Sequence, residues 1–287
     1  MQHHQILFAT DFSGRDRAVF QSACQLALQW RAKLLVMHVE DSRSLAMSES
    51  RRIDTQAEFK HFVPEDVSID YDHILKTGDA ADEVLNFVEA TQVDLIVLGT
   101  HGRRGMDRVF AGSVAEKIVR KANCAVMTLR ESEGEVRQGE MKRILVPVDF
   151  SVFGYAALDF ASKIAISINA QISIVYVDDS DTSVSHQFPQ RHSEWSDHQK
   201  DLGDQLKKFK PVSDKIEVTH KLFNGDPARE ICGYANENEC DLIVLGTHGR
   251  TGLRRALVGS VAEQVIRHAK CPVITVKPSN KRSSTLV

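Results

Sequence analysis

The chain has 287 residues, more than one ordinary domain of roughly 100 to 200, and its 42% hydrophobic and 26% charged residues exclude disordered, collagen-like and low-complexity classes. Its 36 Lys and Arg against 39 Asp and Glu give a net charge of −3, too even a balance for bulk attraction to nucleic acid or an anionic membrane, so any anion site has to be local. No apolar run approaches the roughly 18 residues that cross a bilayer. The stretch from Met1 to Asp11 lacks the basic region, apolar core and cleavage site of a secretory signal. The expectation is a cytoplasmic protein with no nucleic-acid and no membrane partner. Cys24, Cys124, Cys232, Cys240 and Cys271 are odd in number and form no CxxC pair, which favours buried free thiols over a disulfide framework or a zinc ribbon.

In chain order, Ile6 to Ala9 reads as a strand, and Val19, Ala23, Leu26 and Trp30 then recur at helical spacing. Leu34 to Val39 and Ile69 to Leu75 are the next strands, and Val84, Leu85 and Val88 mark a second helix. Leu95 to Leu98, a helix carrying Val114, Ile118 and Val119, and a strand from Ala125 to Leu129 complete a β-α-β-α-β-α-β-α-β half. Runs apolar on both faces suit central parallel strands covered by helices. The second half repeats the order from Ile144 through Val276, and the whole is a doubly wound, parallel α/β design.

The repeat is also literal. Gly99-Thr-His-Gly102-Arg103 followed by Gly112-Ser113-Val114-Ala115-Glu116 returns as Gly246-Thr-His-Gly249-Arg250 followed by Gly259-Ser260-Val261-Ala262-Glu263, displaced by 147 residues. Ala9-Thr10-Asp11-Phe12-Ser13 returns as Pro147-Val148-Asp149-Phe150-Ser151, displaced by 138, so the second copy carries nine additional residues. Gly78-Asp79 and Gly225-Asp226 already stand 147 apart, which puts the insertion before Gly225. The expected domains are residues 1–131 and 141–287, joined by a polar linker at 132–140 that holds Gly134 and Gly139.

After each fourth strand come glycine, two residues, glycine, nine residues, then Gly-Ser opening a helix. Glycines let backbone amides approach an anion, and a helix start adds unpaired N–H groups and the positive end of its dipole, so a phosphate is the expected guest. Arg103, Arg104 and Arg108, with Arg250, Arg254 and Arg255 in the copy, can add charge over the loop. Ser113 with Glu116, and Ser260 with Glu263, are equally legible as capping boxes that start a helix without any ligand. Asp11 and Asp149 each close a first strand, where an open parallel sheet frames its ligand crevice. Such an aspartate could hold a ribose hydroxyl, an adenine edge or a magnesium ion bridging phosphates, or serve as a helix-entry cap beside Ser13 or Ser151. The loop lacks the lysine of a Walker loop and the close glycines of GxGxxG, and no GxSxG or HExxH motif nominates a catalytic group.

On these residues the chain resembles the universal stress protein family, in its tandem, adenine-nucleotide-binding form, over nearly its whole length. The resemblance implies two tandem Rossmann-like, adenine nucleotide α-hydrolase-like domains, each a five-stranded parallel sheet of order 3-2-1-4-5 flanked by helices. It implies ATP or AMP as ligand, with or without Mg2+. The implied adenosine wall is Ala9, Asp11 and Val39 in the first half and Pro147, Asp149 and Val177 in the second. The implied ribose and phosphate contacts are Gly99, Gly102, Arg103, Gly112, Ser113 and Val114, and likewise Gly246, Gly249, Arg250, Gly259, Ser260 and Val261. Ala9, Ala80 and Ala125 stand where the copy has Pro147, Pro227 and Pro272, so two sites of unequal affinity are expected, the second being the safer one.

The resemblance further implies a stress-response or signalling module with an unidentified protein partner and at most weak ATPase activity. The two last strands are expected to pair within one chain as a pseudo-dimer, with homodimerisation of whole chains left open. Two other functions are weighed: an ATP-cleaving enzyme of the adenine nucleotide α-hydrolase group, and a scaffold whose second half holds a metal or another small ligand. The first lacks an SGGxDS-type loop after the first strand, where the chain has Asp11-Phe12-Ser13-Gly14. The second rests on Asp178, Asp179, Asp181, His186, His192 and His198, whose spacing reads as a solvated loop rather than a zinc site.

Overall fold

The computed structural model describes residues 4–13, 16–40, 55–100, 112–129, 141–180, 192–249 and 258–278. The chain divides into two compact units, Met1–Gln138 and Gly139–Thr285. The first unit runs β1 (Gln5–Thr10), α1 (Asp16–Trp30), β2 (Lys33–Glu40), a helical turn at residues 55–59, β3 (Tyr71–Thr77), α2 (Ala80–Thr91), β4 (Leu95–Gly99), α3 (Ser113–Lys121) and β5 (Ala125–Leu129). Its strands lie in the order β3-β2-β1-β4-β5, every pair parallel. The second unit runs β6 (Arg143–Pro147), α4 (Val152–Ile168), β7 (Gln171–Asp178), α5 (His192–Leu206), β8 (Val218–Asn224), α6 (Pro227–Glu237), β9 (Leu242–Gly246), α7 (Ser260–His268) and β10 (Val273–Val276). Its order is β8-β7-β6-β9-β10, again all parallel. Each unit therefore has the 3-2-1-4-5 sheet expected of it.

The apolar runs explain which strands sit centrally. Ile6, Leu7 and Phe8 of β1 and Leu95 to Leu98 of β4 are buried on both faces, as are Ile144 to Val146 of β6 and Leu242 to Leu245 of β9. The outer strands β3 and β8, whose sequence pattern predicts burial on both faces, are instead half-buried or exposed at every position. They are sheet edges, so one flank of each is left without a covering neighbour. The stripe Val19, Ala23, Leu26 and Trp30 packs α1 onto the first sheet, and Ile118 and Val119 pack α3. Val114, expected on the same apolar face, is 42% exposed, because the buried stripe of α3 runs through Ala115, Ile118 and Val119 and Val114 lies to one side of it.

The region after Asp178 departs from the loop expected there, because residues from His192 onward form α5. Leu202 and Leu206, four residues apart, are its buried anchors, and Phe209 follows them into the core. So short an apolar stripe in a polar segment is a weak helical signal. Asp181 and His186 lie outside the described residues, and nothing is described of the His192 side chain.

A cluster of aromatic rings closes the β1–β2 side of the first unit. Phe62 lies 5.7 Å from Phe8, 5.7 Å from Phe12 and 5.4 Å from Phe20, centroid to centroid. Truncating Phe62 opens a cavity at the centre of that cluster. Phe62→Ala is expected to lower unfolding stability by about 3–5 kcal/mol, the usual cost of deleting a buried aromatic ring. Val67→Ala, at a residue 99% exposed, is expected to stay within about 0.5 kcal/mol in the same urea titration.

Candidate functional site

In a sheet of this order the switch point lies between β1 and β4, and between β6 and β9, at their carboxyl ends. The first-half candidates Ala9, Asp11 and Gly99 stand at those ends, Val39 at the carboxyl end of the neighbouring β2, and Gly112, Ser113 and Val114 at the start of α3. In the second half Pro147, Asp149, Val177 and Gly246 occupy the same places, Gly249 lies three residues beyond β9, and Gly259, Ser260 and Val261 stand at the start of α7. Gly102, Arg103 and Arg250 lie outside the described residues, as do Arg104, Arg108, Arg254 and Arg255.

The second half shows how the candidates meet. The Asp149 Oδ1 atom accepts the Ser151 N–H at 3.1 Å and the Ser151 hydroxyl at 2.6 Å, and the intervening Phe150 is left-handed at φ 63°. A bulky side chain with positive φ is strained, and the surroundings have to hold it there. The Phe150 ring stacks on Tyr176 of β7 at 4.4 Å and 11° between planes, so packing and the Asp149 turn together fix the bend. Ser151 then caps α4 by accepting the N–H groups of Phe153 and Gly154.

The glycine loop descends onto this turn from the β9 side. A Cβ on Gly249 would lie 2.9 Å from Asp149 Oδ2, and a Cβ on Gly246 would lie 2.5 Å from Phe153 Cβ. The Cβ and backbone of Phe153 demand glycine at 246 whether or not a ligand is present, whereas at 249 a side chain would have to displace the end of the Asp149 carboxylate. Between them, Thr247 is 1% exposed; its N–H donates to the Val276 carbonyl at 3.1 Å and its carbonyl accepts the Gly259 N–H at 2.8 Å. The loop is thus closed at a neck where α7 begins. His248 bonds the Thr247 hydroxyl through Nδ1 at 3.0 Å, and its ring rests 5.1 Å from Phe153.

The helix starts distinguish the two readings of the Gly-Ser string. A capping box needs the serine at the N-cap, but the N-caps are Gly112 and Gly259, and neither helix has a side-chain cap hydrogen bond. Ser113 and Ser260 are the first helical residues, one position too late to cap. By contrast α2 and α6 are capped by the Asp79 and Asp226 carboxylates. The helices that follow the fourth strands, α3 and α7, thus begin with amides no side chain caps, an arrangement suited to an anion.

The first half holds the same turn by other means. Phe12 is left-handed at φ 57° and stacks on His38 at 4.0 Å, and Asp11 Oδ1 accepts the Ser13 N–H at 2.8 Å. The remaining support comes from below. Asp16 Oδ2 accepts the Thr10 hydroxyl at 2.6 Å and the Asp11 N–H at 3.1 Å, while Thr10 Oγ1 accepts the Phe12 N–H at 2.9 Å. Asp16 is 3% exposed, and burial, reinforced by the neighbouring Asp11 charge, pushes its carboxyl up to about 7. Sequence reasoning missed Thr10 and Asp16, although the repeat held the signal: their counterparts are Val148 and Gly154.

Two further chemistries find little here. The donor set does not fit a protein-held magnesium ion: each aspartate supports its own turn, and among the described residues no three His, Cys, Asp or Glu side chains gather to hold a metal. His198 Nε2 does meet Asp178 Oδ2 at 3.2 Å, a single pair between α5 and the end of β7. Burial pushes the thiols of Cys24 and Cys271 up to about 12 and those of Cys232 and Cys240 to about 11, so none of these four is a thiolate near neutrality.

The sequence model of the universal stress protein family matches residues 3–130 and 140–277. The chain belongs to that family. Among its relatives, a universal stress protein of Methanocaldococcus jannaschii is 38% identical over 154 residues, 51% of this chain and 89% of the relative. One of Mycobacterium bovis is 27% identical over 199 residues, 66% of this chain but only 64% of the relative. Among solved structures, a universal stress protein from Archaeoglobus fulgidus has a TM-score of 0.67 at 20% identity, covering 97% of this chain and 98% of its own. At that identity the likeness concerns the fold of this tandem universal stress protein. No helix among the described residues is long and apolar enough to cross a membrane.

Two consequences can be measured. Gly246→Ala is expected to destabilise by about 1–3 kcal/mol, the usual cost of overpacking. Gly233→Ala, in the middle of α6 with nothing within 4 Å of the new Cβ, is expected to stabilise by about 0.5–1 kcal/mol in the same denaturant series. Folded Asp16 keeps its proton up to about 7, whereas in the unfolded chain it releases it near 3.8, so its contribution to stability falls as pH rises between those values. The fall has a slope of at most about 1.4 kcal/mol per pH unit for a single proton. Asp16→Asn is expected to remove it, as measured by unfolding curves at pH 5, 6, 7 and 8.

Proposed function

We propose that each half of this universal stress protein binds one adenine nucleotide, ATP or AMP, in the crevice between its first and fourth strands. Occupancy then biases conformation or partner choice in a stress-response or signalling role, with little or no hydrolysis. The observation that carries this reading is the pair of glycine-capped helix starts, Gly112 and Gly259, which present amides without a side-chain cap beside an aspartate turn. Family membership supports it, because the family model matches both segments that carry the duplicated Gly-Ser string.

In this reading Asp149, Pro147 and Val177 face the adenosine, as Asp11, Ala9 and Val39 do in the first half. Gly246, Gly249, Gly259, Ser260 and Val261, with Gly99, Gly112, Ser113 and Val114, present backbone to ribose and phosphates. Gly102, Arg103 and Arg250 complete the two loops. The second crevice is the stronger of the two. The β6–β9 ladder ends at Leu145↔Ile243, whereas β1–β4 continues to Ala9↔Leu98, because Pro147 has no N–H to donate where Ala9 does. The strands are thereby released earlier in the second half, next to the proposed adenosine wall. The working unit is proposed to be cytoplasmic, with domains at 1–131 and 141–287, an internal pseudo-dimer able to form homodimers, and an unidentified protein partner.

Protein purified without added nucleotide and then heat-denatured is expected to release ATP or AMP, and calorimetry of the stripped protein is expected to give up to two sites. Gly249→Val and Gly112→Val are each expected to weaken one site at least tenfold. The first drives a side chain into Asp149, and the second strains a residue at φ 51°. Neither released nucleotide nor a calorimetric signal with ATP or AMP would overturn the reading.

A further inference from the structure

The two halves bend the chain out of their first strand identically but hold the bend differently, and the difference falls on the crevice aspartate. In the second half the Ser151 hydroxyl bonds the Asp149 carboxylate itself, at 2.6 Å. In the first half the equivalent Ser13 hydroxyl oxygen is buried and makes no hydrogen bond. Support comes instead from Asp16, through the Asp11 N–H and through the Thr10 hydroxyl that in turn holds Phe12. Substituting Gly154 by aspartate could not reproduce this in the second half. Val148 offers no hydroxyl there, and a Cβ on Gly154 would already lie 3.3 Å from Asp149 Oδ1.

We propose that Asp16 is a positioning residue of the first crevice, one that ties ligand affinity in that half to its own protonation, and that the second half has no counterpart. This rests on the nucleotide reading of the site. The charge facing Asp16 is that of Asp11, one bond away through the Asp11 N–H. On β2 the nearest titratable side chain is His38, which donates Nδ1–H to the Thr10 carbonyl at 2.8 Å. On α1 it is Arg17, which is exposed, and β4 carries no titratable side chain. Arg15 lies outside the described residues. A second negative charge beneath Asp11 opposes a phosphate ligand, so the ligand favours Asp16 in its neutral form. Burial keeps that form available close to neutrality. The sign follows: a polyanion binding the first half takes up or retains a proton at Asp16, and affinity falls as pH rises.

The experiment uses the full chain. Carboxyl-carbon NMR of aspartate-labelled protein, with Asp16→Asn identifying the resonance, is expected to show Asp16 titrating near neutrality. Titration among the ordinary carboxylates near about 4 would overturn the proposal. AMP is then titrated into Gly249→Val, which leaves the first crevice intact, and into Gly112→Val, which leaves the second, at pH 6.5 and 8. The ionisation of AMP itself is common to both and cancels in the comparison. The first crevice is expected to lose several-fold more affinity than the second over that range, within the tenfold per pH unit that one linked proton allows. Asp16→Asn in the first background is expected to bring its pH profile onto that of the second crevice. Equal profiles in the two crevices, or a slope that survives Asp16→Asn, overturns the linkage. Absence of AMP binding to the first crevice at both pH values, with Asp16 still titrating near neutrality, instead refutes the nucleotide reading of that half and leaves the proton on Asp16 standing.

Discussion

The second crevice depends on one backbone hydrogen bond, from the Gly259 N–H to the Thr247 carbonyl. Thr247 is fixed at the end of β9 by its own N–H bond to Val276, so the sheet sets where its carbonyl points. That carbonyl in turn sets where α7 begins. This neck fixes the first amides of α7 by backbone bonds of the fold itself. The glycines follow from this constraint. Gly246 has to let α4 approach, Gly249 has to clear Asp149, and Gly259 lies within 3.4 Å of the Thr247 carbonyl oxygen at the position of its absent Cβ.

Much of this was legible in the order of the residues. The apolar runs located the central strands because a strand buried on both faces has no polar positions to confuse the period. The edge strands β3 and β8 were less legible, since Tyr71 to Thr77 mixes Asp72, His73 and Lys76 with Ile74 and Leu75. Whether such a run is half-buried depends on which neighbours it finds. The Gly-Ser helix starts were located to the residue, but not how they are capped. Ser-x-x-Glu has the same spelling whether serine precedes the first turn or opens it, and the carbonyl of Thr247, thirteen residues upstream, decides between the two.

Illegible for a different reason was the support beneath the crevice aspartates. Phe12 and Phe150 adopt a backbone conformation that aromatic residues rarely occupy, and nothing in a phenylalanine announces it. The conformation is imposed by the turn at Asp11 or Asp149 and by a ring partner on the second strand, His38 in one half and Tyr176 in the other. Those partners are 26 residues away in sequence, which is why local pattern could not reveal them. They became readable only as a pair of halves that solve one problem twice.

Duplication makes the differences between the halves informative, because both copies keep the same sheet order, the same left-handed phenylalanine and the same glycine-capped helix. Thr10 and Asp16 in one half stand against Val148 and Gly154 in the other: the Thr10 hydroxyl donates to the buried carboxylate, whereas a Cβ on Gly154 would already lie 3.3 Å from Asp149 Oδ1. A buried carboxyl with a raised proton affinity costs stability at neutral pH, since the charged form is poorly solvated. The second half bends the same strand end without that cost, through a serine on the aspartate itself. What separates the two is a buried carboxyl, Asp16, whose surroundings raise its proton affinity, at a place where the other half has Gly154.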